Sequence, residues 1–312
     1  MNTLINSIII KQTLSTLFTS TTTRDYKYIF SSHTGLLQLI TLRNSFIPTT
    51  SHKYNFKINT FYFNSNRAFI FITLTDNLTI SSLDKSSTSK LNLCFIFSQI
   101  SKFNWLIDFV ISKEHSPSLY SDLLDNKFDI YKLQTSLSDA IQKYSTTQSL
   151  LTSNKPLATT VTTTSISTTF DFSKSIEYAE RYALDYNPKY ISFNDSGGDC
   201  TNFASQSLHY GGIKETSLWK PYLNSWVRVN ELRDFLIYNK LAREYSSLKD
   251  NFSGCLIQFF NKDRNAWTHS GILTYRTDTD YLYCCHTYDK LNYPLSLSYP
   301  IIYPKVRIIV PF

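Results

Sequence analysis

Three side chains could do chemistry together: a cysteine and two histidines. Residues 197–203 read Gly-Gly-Asp-Cys-Thr-Asn-Phe, which sets Cys200 in the first turn of an expected helix behind a glycine pair. A thiol there meets unpaired amides and the positive end of the helix dipole, both of which favour the thiolate. The Cys200 amide, also in that first turn, is available to hold an oxyanion. His269 and His286 follow in a strand-rich stretch, so the chain holds a candidate nucleophile, base and orienting residue for covalent acyl transfer. Two other uses of these residues stand beside this one. Cys200 could be a buried packing residue, and Cys200, His269, His286 and Asp289 could form a zinc set. The short-spaced ligand pairs that usually build zinc sites are absent, so no metal and no other cofactor is expected. A Ser/His/Asp triad lacks its Gly-x-Ser-x-Gly elbow.

The histidines must be positioned by a hairpin. Residues 268–276 and 281–287 read as strands around a turn at 277–280. If the turn is centred between Asp278 and Thr279, His269 lies opposite Tyr288, and His286 shares its face as a diagonal neighbour. A one-residue slip would separate them. In this register His269 takes the thiol proton and His286 fixes the tautomer of His269.

The rest of the second half supplies supports. A helix capped by Ser173 carries Ile176, Tyr178, Ala179, Tyr182 and Ala183 on one face and ends before Asn187-Pro188. The Cys200 helix buries Phe203, Ala204, Ser207 and Leu208 and stops at Gly211-Gly212. Residues 230–238 read as another helix, and 255–260 and 306–310 as strands. Six of the seven glycines lie between Gly197 and Gly271, which marks where backbone geometry is controlled.

The first half is different in kind. Residues 53–58, 60–63, 67–74, 91–97 and 102–107 alternate or run in β-branched and aromatic residues, giving four or five antiparallel strands. Residues 1–20 supply a helix, and 117–143 has helical spacing. His33, His52 and His115 have no partners at meaningful spacing, so this half reads as a structural or binding module. Residues 145–169 are dominated by Ser and Thr and read as a linker. The expected organisation is a β-rich accessory domain at 1–144, a linker at 145–170 and a catalytic domain at 171–312.

Composition narrows the function classes. The chain has 312 residues, enough for two cores. The net charge of +7 is spread thinly: residues 1–171 hold 15 Lys and Arg against 10 Asp and Glu, and residues 172–312 hold 16 against 14. With no basic block, nucleic acid is not an expected partner. Five cysteines without regular spacing make no disulfide framework. Cys94, Cys255, Cys284 and Cys285 read as small buried residues, the adjacent pair pointing to opposite faces of a strand. No apolar run reaches the length of a membrane span. The apolar start, MNTLINSIIIKQTLSTLF, lacks the basic flank and cleavage site of a clear signal peptide.

Residues from about 175 to the C-terminus resemble the putative amidase domain family, a branch related to NlpC-type and CHAP-type cysteine peptidases. The resemblance rests on Tyr178-Ala179, Tyr182, Asn187-Pro188, the Gly-Gly-Asp-Cys-Thr-Asn-Phe run, Ser205-Gln206 and Leu208. Gly211-Gly212, Ser225-Trp226, Thr268-His269-Ser270 and His286-Thr287-Tyr288-Asp289 complete it. It implies an α+β, papain-like domain in which the Cys-bearing helix packs on an antiparallel sheet. It also implies amide hydrolysis through a thioester, with peptidoglycan peptides as substrate and an extracellular or cell-wall setting. Carried over residue by residue, Cys200 is the nucleophile, His269 the base and His286 the orienting residue, with Asp289 as the alternate third member. Asp199 and Trp226 would border the substrate cleft. The chain departs from the pattern at Gly254-Cys255, where a Gly-Asp pair commonly opens the first core strand. The segment between Gly212 and Trp226 is also short. A monomeric amidase or peptidase is the leading expectation, and a catalytically inactive module that binds cell-wall peptide or a protein partner is the alternative.

Overall fold

A computed structural model describes residues 2–19, 29–31, 49–80, 82–135, 170–248 and 250–312. The chain divides into two compact units, one of residues 1–44, 52–77 and 90–151 and the other of 45–51, 78–89 and 152–312. The expected linker, and Leu137 and Ile141 of the expected helix over 117–143, lie outside the described residues, as does His33.

The first unit is built on β1 (Thr49–Asn64), β2 (Arg67–Ile80), β3 (Lys85–Ser101) and β4 (Asn104–Ser112), which pair in that order. These strands run longer than the sequence pattern suggests, because the polar residues of the alternation fill the positions between buried ones. Period-two alternation splits the apolar residues between two cores. Ile70, Ile72, Leu93, Phe95 and Phe97 pack with Ile10, Leu14, Leu17 and Phe18 of helix α1 (Asn2–Thr19). Phe69, Phe71, Cys94 and Ile96 pack on the other side with Leu119, Tyr120 and Leu123 of α2 (Pro117–Leu124). The expected helix over 117–143 is therefore broken at Asp125-Asn126, where Asn126 takes φ 60, and helical turns resume only at 130–135.

The second unit is also α+β. It contains α3 (Phe172–Tyr182), α4 (Cys200–Tyr210), α5 (Asn224–Val227) and α6 (Val229–Tyr238). Its strands are β5 (Ala242–Tyr245), β6 (Leu256–Asn261), β7 (Ala266–Arg276), β8 (Tyr281–Cys285), β9 (Lys290–Pro294) and β10 (Lys305–Pro311). They form an antiparallel sheet in the order β9-β8-β7-β6-β10-β5. Strands β5 and β9 are short and follow tight turns, which hid them from pattern reading. The helices and the segment between α4 and α5 cover one face: Phe203, Ala204, Leu208, Trp219, Trp226, Leu232 and Leu236 pack with Leu256, Ile272, Cys284 and Ile309. The other face holds Ile257, Phe259, Leu273, Tyr283, Cys285, Tyr303 and Ile308. Cys284 and Cys285 thus point to opposite faces, as adjacent strand residues must. All five cysteines are buried, and none forms a disulfide. Fully burying Trp219 and Trp226, whose rings meet at 4.5 Å, contributes on the order of 2–3 kcal/mol each.

Helix α3 begins two residues earlier than the Ser173 cap implies. Asp171 is the cap residue, its carboxylate accepting from the Lys174 amide at 3.1 Å. No helix among the described residues is long and apolar enough to cross a membrane.

Candidate active site

Helix α4 carries the site, and nearly every residue of its first two turns is tied to a neighbour. Gly197 and Gly198 reach it at φ 112 and 108, in the left-handed region that glycine enters without strain. Asp199 does not cap the helix with its side chain. Its backbone amide donates to Thr287 Oγ1 at 2.9 Å, while its carboxylate turns inward. There Oδ1 accepts from the Phe193 amide at 2.8 Å and from Asn202 Nδ2 at 2.9 Å, and Oδ2 accepts from His286 Nδ1 at 2.6 Å. Thr201 shares a hydrogen bond with Ser270 of β7 at 3.1 Å. Asn202 Nδ2 also donates to the Ile191 carbonyl, and its Oδ1 receives the Trp226 indole N–H at 2.9 Å. Ser205 donates to the Trp226 carbonyl, and Gln206 accepts the Tyr178 hydroxyl at 2.6 Å, which in turn accepts from Asn187.

Cys200 is the first residue of α4 and is 7% exposed. Burial pushes its thiol up from the ordinary value, and the Asp199 carboxylate adds to that. The Ser270 amide together with the Thr201 hydroxyl and amide pull the other way, without overcoming burial. The helix terminus therefore does not win: the expectation of a thiolate favoured in the resting protein gives way to a neutral thiol, because desolvation of a buried sulfur outweighs a few amide dipoles. The sulfur meets β7 at Ser270, the residue after His269.

His269 sits in an aromatic box. Its ring stacks on Tyr303 at 5.9 Å and 12°, with Phe259 at 5.4 Å and Tyr288 at 5.6 Å. Nε2 is buried without a hydrogen-bond partner. Burial first, and then the charge of Lys290, pull its value down to about 3, so the ring is neutral. Lys290 itself is buried, its Nζ donating to Tyr283 Oη at 2.9 Å and lying 4.5 Å from the centre of the Tyr293 ring. No hydrogen bond joins His269 to Cys200 in this resting geometry.

His286 is placed elsewhere. The turn reading holds at its tip, where Arg276 pairs with Tyr281, but a bulge between Leu273 and Arg276 moves the next pairs to Leu273–Tyr283 and Ile272–Cys284. That is the one-residue slip that exchanges faces, and it brings His286 level with Ser270 rather than with the His269 face. The His286 ring lies between Tyr186 at 3.9 Å and Phe203 of α4 at 4.2 Å. Both nitrogens are spent: Nδ1 donates to Asp199 and Nε2 to the Tyr182 carbonyl at 2.6 Å. His286 therefore has no nitrogen left with which to orient His269, a correction to the sequence reading. Asp289 accepts the Tyr186 hydroxyl at 2.9 Å. Trp226 is fully buried among Trp219, Tyr190 and His209, so it is a core residue and lines no open cleft. Asp199, 1% exposed, is a buried hydrogen-bonded anchor and does not form a cleft wall.

The residues that sequence reasoning missed are the second partners: Tyr186 and Phe203 around His286, and Tyr303 and Lys290 around His269. Phe203 was legible as a helix-face residue. Nothing in the spacing marks Tyr303, which is 34 residues beyond the histidine it covers.

Residues 169–308 match the family model described as a putative amidase domain. A curated protein from Bacillus subtilis (strain 168), the uncharacterized protein YjcM, is 30% identical over 146 residues. The match covers 43% of this chain and 35% of that relative, so the chain spans about a third of the relative's length. No solved structure matches.

Proposed function

We propose that the second unit is a cysteine-dependent amide hydrolase of papain-like design. The observation that carries this reading is Cys200 at the amino end of α4, with its sulfur against the main chain of Ser270, next to His269 on β7. A neutral thiol beside a neutral imidazole calls for proton transfer to His269 as the sulfur attacks, rather than a preformed ion pair. Hydrogen bonds of this kind often tighten only once substrate is bound. The S–C bond forms as the amide carbonyl becomes an oxyanion, facing the first-turn amides of α4. The tetrahedral intermediate then collapses, the C–N bond breaks and the amine leaves with the proton held by His269. Water hydrolyses the thioester in the second half and restores the thiol. Peptide amides are the substrate class, with cell-wall peptides as the specific proposal.

The test is mass-spectrometric trapping of an acyl-enzyme at Cys200 from a panel of peptidoglycan-derived peptides, with wild type, Cys200→Ala and His269→Ala compared. A covalent adduct and product in wild type, both absent from Cys200→Ala, support the reading. Undiminished hydrolysis by Cys200→Ala would falsify it.

The buried thiol and the absence of a Cys200–His269 hydrogen bond favour a second reading, an inactive module that binds the same peptides. It predicts saturable peptide binding that is the same in wild type and Cys200→Ala, with no turnover in either.

A further inference from the structure

The pair formed by Asp199 and His286 lies beside the nucleophile but takes no part in the proposed chemistry. We propose that His286 is a positioning cation: a doubly protonated ring whose charge cancels that of Asp199, so that negative charge can develop on the neighbouring Cys200. The inference rests on Cys200 being the reactive residue.

The argument begins with hydrogen-bond roles. The two partners of His286 are a carboxylate oxygen and a backbone carbonyl oxygen, each at 2.6 Å. Both are acceptors, so both ring nitrogens carry hydrogen and the ring is positive. The side chains of the pair are 2% and 1% exposed, so water does little to screen either charge. Asp199 immediately precedes Cys200, and its charge acts against ionisation of the thiol. Without His286 this carboxylate would stand unpaired next to the atom that must become negative.

The surroundings leave no other cation in that role. Above and below the His286 ring are Tyr186 and Phe203, and Tyr186 passes its hydroxyl hydrogen to Asp289, a second acid on that side. The remaining Asp199 contacts are the neutral Phe193 amide, Asn202 amide and Thr287 hydroxyl. Around the Cys200 sulfur are Thr201 and Ser270, both neutral. Beyond Ser270 stands His269, and the charge facing His269 is Lys290. Residues 199 and 286 thus form one neutral unit that also fixes the amino end of α4 against the end of β8.

The experiment reads the pH midpoint of iodoacetamide labelling at Cys200, by mass spectrometry, in wild type, His286→Gln and the double variant Asp199→Asn/His286→Gln. The midpoint reports ionisation, and a change confined to packing would alter the rate at every pH alike. His286→Gln is expected to raise the midpoint by about one pH unit, a roughly tenfold loss of labelling at pH 7.5. The double variant, with both charges gone, is expected to return to the wild-type midpoint. A folded His286→Gln with an unmoved midpoint, or a double variant that keeps the shift, overturns the proposal. Should His286→Gln not fold, 15N spectra of the wild-type imidazoles decide: both His286 nitrogens protonated at pH 7.5 support it, and a neutral tautomer overturns it. Labelling uses no substrate, so failure to find a hydrolysed amide leaves this result standing, and the reverse holds as well.

Discussion

Two buried groups titrate with opposite sign in the same pH range, and separating them tests the electrostatic picture of the second unit. His269 is held down to about 3, first by burial and then by Lys290, against about 6.5 in an unfolded chain. Its folded value is depressed, so its contribution to stability is complete above about pH 6.5 and is lost as pH falls toward 3. Asp280 is the reverse case. Burial lifts its carboxyl to about 6, although Ser296 Oγ donates to it at 2.5 Å and the Tyr281 amide at 2.7 Å. Its folded value is raised, so its contribution is complete below about pH 3.9 and is lost as pH rises through about 6. Between about pH 4 and 6 the unfolded chain binds one proton more at His269 and one fewer at Asp280. The two slopes, each up to about 1.4 kcal/mol per pH unit, cancel.

Urea unfolding of wild type, Asp280→Asn and His269→Phe at pH 4.5, 5.0 and 5.5 separates them. Phenylalanine suits a box of Phe259, Tyr288 and Tyr303, and asparagine keeps an acceptor for the Tyr281 amide. Relative to wild type, Asp280→Asn should lose stability more steeply on acidification, by up to about 1.4 kcal/mol per pH unit. His269→Phe should lose it less steeply, by up to about the same amount. The variants would then diverge from each other by as much as about 2.7 kcal/mol per pH unit. Slopes parallel to within about 0.5 kcal/mol per pH unit, an interval that linear extrapolation resolves, would refute the reasoning.

Three further outcomes are expected. Gly198→Ala puts a side chain at φ 108 and a Cβ 3.0 Å from Thr287 Oγ1, the acceptor for the Asp199 amide; it should cost about 1–3 kcal/mol in urea unfolding and slow Cys200 labelling. Trp226→Phe removes the donor to Asn202 Oδ1 and should cost about 1–3 kcal/mol, with a normal far-ultraviolet spectrum and a lower denaturation midpoint. In native protein, Cys200 at 7% exposure should alkylate before Cys94, Cys255, Cys284 and Cys285, which are at 0–1%; mass spectrometry after brief labelling would show any other order.

Local signals carried far along this chain. The glycine pair, the Cys200 helix and its stop at Gly211, and strands β6, β7 and β10 all follow from turn residues and periodicity, which act over a few residues. Pairing across a hairpin depends on how the turn is wound, and the bulge between Leu273 and Arg276 has no mark in the letters, which carry no glycine or proline there. One inserted step moved His286 away from the His269 face. Trp226 misled for another reason: its motif neighbours suggest a cleft, while its N–H is matched by Asn202, and a matched indole is free to be buried. The family resemblance sets Asp199 at the cleft, whereas its carboxylate turns inward to His286. Its partner lies 87 residues away, beyond any spacing argument.

The motif around Cys200 also has a reading that involves no chemistry. Asp199 binds His286, Thr201 binds Ser270, Asn202 binds Trp226, Phe203 covers His286, Ser205 binds the Trp226 carbonyl and Gln206 binds Tyr178. Each of these contacts holds the amino end of α4 in place, and Thr201 and Ser270 also border the Cys200 sulfur. Fixing that helix end thus accounts for the side chains of the motif other than the cysteine. The cysteine is then the informative residue. A packing role at position 200 is open to alanine or serine, whereas the proposed hydrolysis needs the thiol, with the first-turn amides, the Ser270 main chain and the neutral His269 ring beside it. The same logic bears on the proposed role of His286: with Cys200 as the proposed nucleophile, the Asp199 carboxylate beside it would need its charge cancelled, and the His286 ring lies within hydrogen-bond reach to do so.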